Sequence, residues 1–67
     1  MISVVLNGEA HELGDSPTVA DAVQAAEAPD RGVAVAVDGE VVPRRSWEAT
    51  SLADGQRVEV LQAVQGG

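Results

Sequence analysis

The fold is decided by residues 33–43, which read Val-Ala-Val-Ala-Val-Asp-Gly-Glu-Val-Val-Pro. Strict alternation over 33–37 places the valines on one face of a strand and the small alanines on the other. Asp38-Gly39 favours the left-handed backbone dihedrals of a tight hairpin turn. The two valines after the turn begin a short strand that Pro43 should confine to a sheet edge or end early. We therefore predict a strand, a tight turn and a short edge strand.

A helix is predicted upstream of this hairpin. Thr18 is a good N-cap residue, Asp21 completes the short form of a capping box, and Pro17 discourages an earlier start. Apolar residues then follow at i, i+3, i+4 and i+7, which makes one apolar stripe: Val19, Ala22, Val23 and Ala26. Pro29 and Gly32 should end the helix.

Two more turn pairs mark the ends of the chain. Asn7-Gly8 is flanked by alternating apolar residues, so residues 1–13 predict a hairpin. After Asp54-Gly55, valines alternate with charged residues and predict a last strand. Residues 44–53 show no period and are predicted to be irregular.

The order of elements is hairpin, helix, strand, short strand, strand. A helix that crosses between the hairpin and the third strand lets the first and last strands pair in parallel at the sheet centre. This is the β-grasp order, of class α+β. We predict a mixed sheet of four to five strands with one main helix packed on one face. The β-grasp domain spans 1–62 and a flexible C-terminal tail spans 63–67.

Composition narrows the possible partners. The chain has 67 residues, no cysteine and a formal net charge of -7. Disulfides, thiolate metal sites and a cysteine nucleophile are therefore absent from it. The excess of acidic residues favours a soluble monomer and argues against a nucleic-acid partner. The longest apolar stretch is 33–37, which is too short to span a bilayer, and no signal peptide is recognisable. We expect a cytoplasmic protein without membrane association.

The residue types that build catalytic sites are sparse. There is one histidine, His11, which we expect to be a partly exposed strand residue, and no phosphate loop or metal-ligand spacing. The carboxylates are scattered over turns and polar faces, as on a solvated surface. Trp47, the one aromatic residue, is expected to pack in the core or at its edge, with an exposed partner anchor as the alternative. Arg44 and Arg45 are expected in an exposed loop, in preference to a carboxylate-binding role.

The chain ends in Gly66-Gly67. Two residues without side chains make a thin segment that can enter a narrow channel and bring the terminal carboxylate to an enclosed active site. A frayed tail is the simpler alternative.

Several segments of the chain match one family in order and spacing: the opening strand with Asn7-Gly8, Thr18-Val19-Ala20-Asp21, residues 33–44, Trp47, Leu52-Ala53-Asp54-Gly55 and Gly66-Gly67. In these segments the sequence resembles the sulfur-carrier proteins of thiamine biosynthesis (ThiS), which belong to the ubiquitin-like group. Three positions depart from the family pattern. Gln56 stands where an acidic residue is common, Gln65 where a further glycine is common, and Asp38 where asparagine is usual.

The resemblance implies a function for the chain terminus. The Gly67 carboxylate would be adenylated by an E1-like, ThiF-like enzyme, and sulfur would displace AMP to leave a thiocarboxylate. A ThiG-like thiazole synthase would then receive the sulfur. Gly66, Gln65 and Val64 would be recognised as the tail.

The same resemblance implies that the domain is not an enzyme and binds no cofactor. ATP and magnesium would be used by the activating enzyme. The docking surface would lie on the open sheet face near the tail.

Other functions fit the same fold. The sulfur carrier of molybdopterin synthase shares the tail chemistry, although residues 63–65 lack the proline that usually precedes its diglycine. Carriers for other sulfur metabolites remain open. From different classes, a protein-modifying tag would yield isopeptide adducts, and a plain β-grasp interaction module would keep its activity without Gly66 and Gly67.

Overall fold

The computed structural model describes residues 1–29 and 31–62, so the predicted tail at 63–67 lies outside the described residues. The elements are β1 (Ile2–Leu6), β2 (Glu9–Leu13), α1 (Val19–Ala25), β3 (Val33–Val37), β4 (Glu40–Val42), a 3-10 helix (Arg44–Ser46) and β5 (Arg57–Gln62). The predicted order of elements is confirmed.

The strands form one five-stranded sheet in the order β2-β1-β5-β3-β4. β5 is the central strand, parallel to β1 and antiparallel to β3. The first and last strands of the chain therefore pair in parallel at the sheet centre, as predicted, and β4 ends before Pro43 at one edge. The described part of the chain has the β-grasp fold.

The core lies between the sheet and α1. Alternate residues of the three inner strands point to the helix, which contributes its predicted apolar stripe. The buried apolar residues are Val4, Leu6, Val19, Ala22, Val23, Val35, Val37, Trp47, Leu52, Val58 and Val60. Trp47 is 7% exposed, and its indole Nε1 donates a hydrogen bond to the Val42 carbonyl at 2.9 Å. The prediction that Trp47 packs in the core is confirmed.

The start of α1 agrees with the capping box in the sequence. The Thr18 amide donates to the Asp21 carboxylate at 2.8 Å, and the Asp21 amide donates to Thr18 Oγ1 at 3.4 Å. Two further amides of the first turn have no partner inside the helix. Val19 donates to the Thr50 carbonyl at 2.9 Å, and Ala20 donates to the carbonyl of residue 47 at 3.2 Å.

These bonds explain the segment that was predicted to be irregular. Residues 44–53 contain a 3-10 helix and then turns, and one isolated bridge joins Ser51 to Thr18. The prediction missed the 3-10 helix because it is too short to show a period. The segment supplies carbonyl groups to the start of α1.

α1 ends earlier than Pro29 and Gly32 indicate, because its last residue is Ala25. Glu27 has a φ of 56°, in the left-handed region. Its amide and that of Ala28 donate back to carbonyls of the last helical turn at 3.0 and 3.3 Å, the pattern of a Schellman cap. The helix was expected to reach proline, but this cap stops it first, with glutamate where glycine is usual.

Asp38 joins the β3–β4 turn to β5. Its φ of 49° and the φ of 87° at Gly39 fit the predicted left-handed turn. One carboxylate oxygen accepts from the Arg57 amide at 3.0 Å, and the other accepts from Gln56 Nε2 at 3.1 Å. Asp38 and Gln56, two positions that depart from the family pattern, are therefore in contact. In the usual family pattern, asparagine at position 38 would donate this hydrogen bond and the acidic residue at position 56 would accept it.

This contact predicts compensation between the two positions. Asp38→Asn alone places two amide donors face to face, and Gln56→Glu alone places two carboxylates together. The double variant restores one donor and one acceptor. We expect it to be more stable than the sum of the single effects by about 0.5–1 kcal/mol, because neighbours in one hydrogen bond couple. Urea unfolding of the four proteins measures this coupling, and strictly additive effects would contradict it.

Candidate functional site

The described residues contain no enclosed site with catalytic side chains. No grouping of three histidine, aspartate or glutamate side chains within 1–29 and 31–62 could hold a metal ion. His11 is a half-exposed strand residue, as predicted, and its nearest acidic neighbour is Glu9, with 3.9 Å between Nε2 and a carboxylate oxygen. No helix in the described ranges is long and apolar enough to cross a membrane.

The predicted site residues are all in the tail. Val64, Gln65, Gly66 and Gly67 lie outside the described residues, so their roles stay predictions. The structure describes the strand from which they follow. β5 remains paired with β3 up to Gln62, which lies opposite Val33. The tail is therefore joined directly to the central strand of the sheet.

The end of β5 is held on its other side by one side chain. The backbone pairing of β1 with β5 ends at Leu6 opposite Val58, where the chain turns away into β2. Val60 is only 7% exposed, so its amide and carbonyl on that side need partners. The Val60 amide donates to Asn7 Oδ1 at 2.8 Å, and Asn7 Nδ2 donates to the Val60 carbonyl at 3.2 Å. The Asn7 side chain extends the ladder by one residue.

Asparagine meets both requirements of this position. Asn7 has a φ of 50° in the first turn, and its own amide donates to the Val58 carbonyl at 2.9 Å. Its side-chain amide offers one acceptor and donors, whereas an aspartate carboxylate offers acceptors alone. The sequence predicted the turn and missed the bond to β5. One signal in the sequence could have indicated this bond. Aspartate would suit the turn equally well, so the choice of asparagine at position 7 points to a need for its side-chain donor.

The sheet face away from α1 is partly apolar beside the tail. Leu61 is 61% exposed and Val41 is 74% exposed. Ala34 lies opposite Leu61, and Ala36 lies opposite Val41. We call these four residues the open-face patch. The docking surface was expected on this face near the tail, and that expectation stays a prediction.

The Asn7 contacts predict a local effect on the root of the tail. Asn7→Gly keeps the left-handed turn and removes both bonds to Val60, so the free energy of unfolding should fall by about 1–2 kcal/mol. Hydrogen exchange at the Val60 amide should accelerate more than at Leu61, which pairs with β3. Asn7→Asp separates the two bonds, because it keeps an acceptor for the Val60 amide and replaces the donor to the Val60 carbonyl with a second acceptor. Equal acceleration at Val60 and Leu61 in Asn7→Gly would contradict the assignment.

Comparisons with known proteins agree on one family. The model of the ThiS family matches residues 4–67. The sulfur carrier protein ThiS of Escherichia coli (strain K12) is 24% identical over 66 residues, covering 98% of this chain and all of the relative. A crystal structure of the thiamine biosynthesis protein (ThiS) from Geobacter metallireducens superposes with a TM-score of 0.79 at 29% identity, covering 98% of this chain and 100% of that one.

A solution structure of a thiamine biosynthesis protein from the same organism gives a TM-score of 0.78 at 29% identity, with 98% of this chain and 88% of that chain covered. The matched residues include the central strand and the terminal diglycine. With the sheet order and the position of β5, these matches show that the chain belongs to the ThiS family.

Proposed function

We propose that this chain is a sulfur carrier for thiamine biosynthesis and that its working group is the carboxylate of Gly67. The observation that carries the proposal is the family match over residues 4–67, which includes Gly66 and Gly67. It is supported by the fold, because the tail continues from the central strand of the sheet.

The proposed chemistry begins with activation of the terminus. An α-carboxylate is ionised at neutral pH and is a poor electrophile. A ThiF-like, ATP-dependent enzyme transfers AMP to a Gly67 carboxylate oxygen, and pyrophosphate leaves. A sulfur nucleophile supplied by that enzyme's donor then attacks the acyl carbon, and AMP leaves with its bond to that oxygen. Where that nucleophile is the outer sulfur of a persulfide, a second thiol attacks the donor-side sulfur of the resulting acyl disulfide. The donor and the thiol become a disulfide, and the C-terminal thiocarboxylate leaves.

The second half of the cycle returns the carrier. The thiocarboxylate sulfur is a nucleophile that attacks an electrophilic carbon of the thiazole precursor held by a ThiG-like synthase. Hydrolysis of the resulting acyl bond leaves sulfur on the precursor and restores the Gly67 carboxylate. ATP and magnesium are used by the activating enzyme, and this chain contributes no catalytic residue.

The described residues have a mechanical role in this proposal. Asn7 and β3 hold the two sides of β5, so the tail starts from a fixed point. Residues 63–67 reach at most roughly 17 Å beyond it when fully extended. The open-face patch lies beside the same point. A partner enzyme that covers Leu61 and Val41 would therefore have the terminus within reach of its active site.

The proposal predicts a change of mass at the terminus. The full chain, incubated with ATP, a sulfur donor and the activating enzyme of the same genome, should gain the mass difference between sulfur and oxygen. A chain that lacks Gly67 is the matched control and should show no change. Intact-protein mass spectrometry measures both.

Two results would contradict the proposal. One is an unchanged mass in the full chain with an activating enzyme shown to be competent on another carrier. The other is the appearance of isopeptide adducts on lysines of other proteins in place of the thiocarboxylate, which would indicate a protein-modifying tag.

A further inference from the structure

A groove opens on the side of the sheet that α1 covers. It runs between α1 and the 3-10 helix, with Ala20, Val23 and Trp47 along its apolar part and Arg44 and Arg45 at its basic part. We call it the arginine groove. Val23 and Trp47 are each 7% exposed and form a fixed floor. Arg44 and Arg45 are exposed, so their charged ends reach solvent at the rim.

The two arginines are presented by a well-bonded segment. The Ser46 amide donates to the Pro43 carbonyl at 2.8 Å, and the Trp47 amide donates to the Arg44 carbonyl at 3.1 Å. The Trp47 indole anchors the same turn to Val42 at 2.9 Å. The positions of both arginines along the groove therefore follow from the core packing of Trp47.

The arginine groove is a basic site on an acidic protein. The net charge is -7, and Arg44 and Arg45 are half of the four basic side chains. The ion pairs among residues 1–29 and 31–62 join Met1 to Asp15 and His11 to Glu9, and neither involves an arginine. No carboxylate of the described part of the chain lies within ion-pair distance of these two guanidinium groups.

We propose that the arginine groove binds an acidic segment of a partner protein. Carboxylates of the segment pair with Arg44 and Arg45, and an aliphatic side chain between them packs on Val23 and Trp47. Guanidinium groups are suited to carboxylates because their planar forks donate two parallel hydrogen bonds. The basic rim and the apolar floor thus recognise two features of one short segment.

The surrounding charge selects for a short segment. Nucleic acid or an anionic membrane would extend past the groove and meet the acidic surface, where like charges repel. Glu48 on the rim adds one such repulsive group close to the site. A short acidic segment can remain within reach of Arg44 and Arg45. Repulsion from the acidic surface and attraction to Arg44 and Arg45 together hold the segment at the groove.

The shape of the groove favours a protein over a small molecule. The groove has a volume of about 580 Å³ and is open to solvent along one side. Small-molecule sites bury most of their ligand's surface, which an open groove does not do. When the bound segment is part of a larger protein, the rest of that protein can cover the side of the segment that faces away from the groove.

This inference goes beyond the proposed function. The open-face patch and the groove lie on opposite sides of the sheet, so a partner in the groove leaves Leu61 uncovered. Formation of a thiocarboxylate does not test the groove, and binding in the groove does not test the thiocarboxylate.

The test is a titration followed by NMR. The probe is the blocked peptide Glu-Leu-Glu-Glu-Leu-Glu, and the control peptide has glutamine in place of every glutamate. The acidic probe should shift the Trp47 indole N–H signal and the amide signals of Ala20 and Val23. The glutamine peptide should leave these signals in place.

Two double variants with the same change in net charge locate the binding. Arg44→Gln/Arg45→Gln should bind the acidic probe about tenfold more weakly, since two charge pairs are lost. Arg31→Gln/Arg57→Gln should bind within about twofold of the unmodified chain. All four arginines are exposed, so both variants should keep the native NMR spectrum, which checks the fold.

Several outcomes overturn the proposal. The proposal is contradicted if a millimolar concentration of the probe causes no shifts, or if both double variants bind the probe equally weakly. Shifts at the open-face patch place binding elsewhere, and identical shifts with inorganic phosphate alone make it an anion site without peptide recognition. Concentration-dependent dimerisation that Arg44→Gln/Arg45→Gln abolishes would make the occupant a second copy of this chain.

Discussion

The backbone of β5 has to be hydrogen-bonded on both sides, because the strand lies in the middle of the sheet with its valines buried. The neighbouring strands do not supply all of these bonds. At the start of β5 the Asp38 side chain accepts from the Arg57 amide, and towards its end the Asn7 side chain bonds both backbone groups of Val60. Two turn residues therefore complete the pairing of the central strand, and the tail begins where that pairing ends.

This arrangement fits a protein whose chemistry takes place at its terminus. The described residues form open grooves and faces, and the proposed reaction takes place at a group beyond β5, within the range that the family model matches. Small domains have little free energy of folding to spare for strained catalytic arrangements. A strand held on both sides, followed by a short tail that ends in two glycines, requires no such strain. In the proposed function the catalytic machinery belongs to the enzymes that activate the carrier and receive its sulfur.

Much of the fold follows from local sequence signals. Alternation in 33–37, the Asn-Gly and Asp-Gly turns and the Thr18 capping box each depend on neighbours in the chain, and the structure confirms what they predict. Two local features were missed, the short 3-10 helix and the cap that ends α1, and the other missed contacts join residues distant in sequence. Asn7 and Val60 are far apart along the chain, as are Asp38 and Gln56, so no local pattern shows that they meet.

The candidate site was predictable to a different degree in each of its parts. The diglycine and the family pattern predict a role for the terminus from sequence alone, and that role stays a prediction. The exposed position of Leu61 beside Ala34 requires the strand register, because a shift by one residue would turn it to the core. Arg44 and Arg45 were expected in an exposed loop. Their place at the rim of a groove with an apolar floor depends on how Trp47 packs against α1, which no periodicity of the sequence reveals.

We propose that sulfur travels on the terminus of this chain to a thiazole. The most direct measurement uses the chain with sulfur-34 in its terminal thiocarboxylate, incubated with a ThiG-like synthase and the thiazole precursors, with mass spectrometry of the product and of the recovered protein. We predict that sulfur-34 appears in the thiazole and that the protein returns with an ordinary carboxylate. Sulfur-34 that stays on the protein while unlabelled thiazole forms would contradict it.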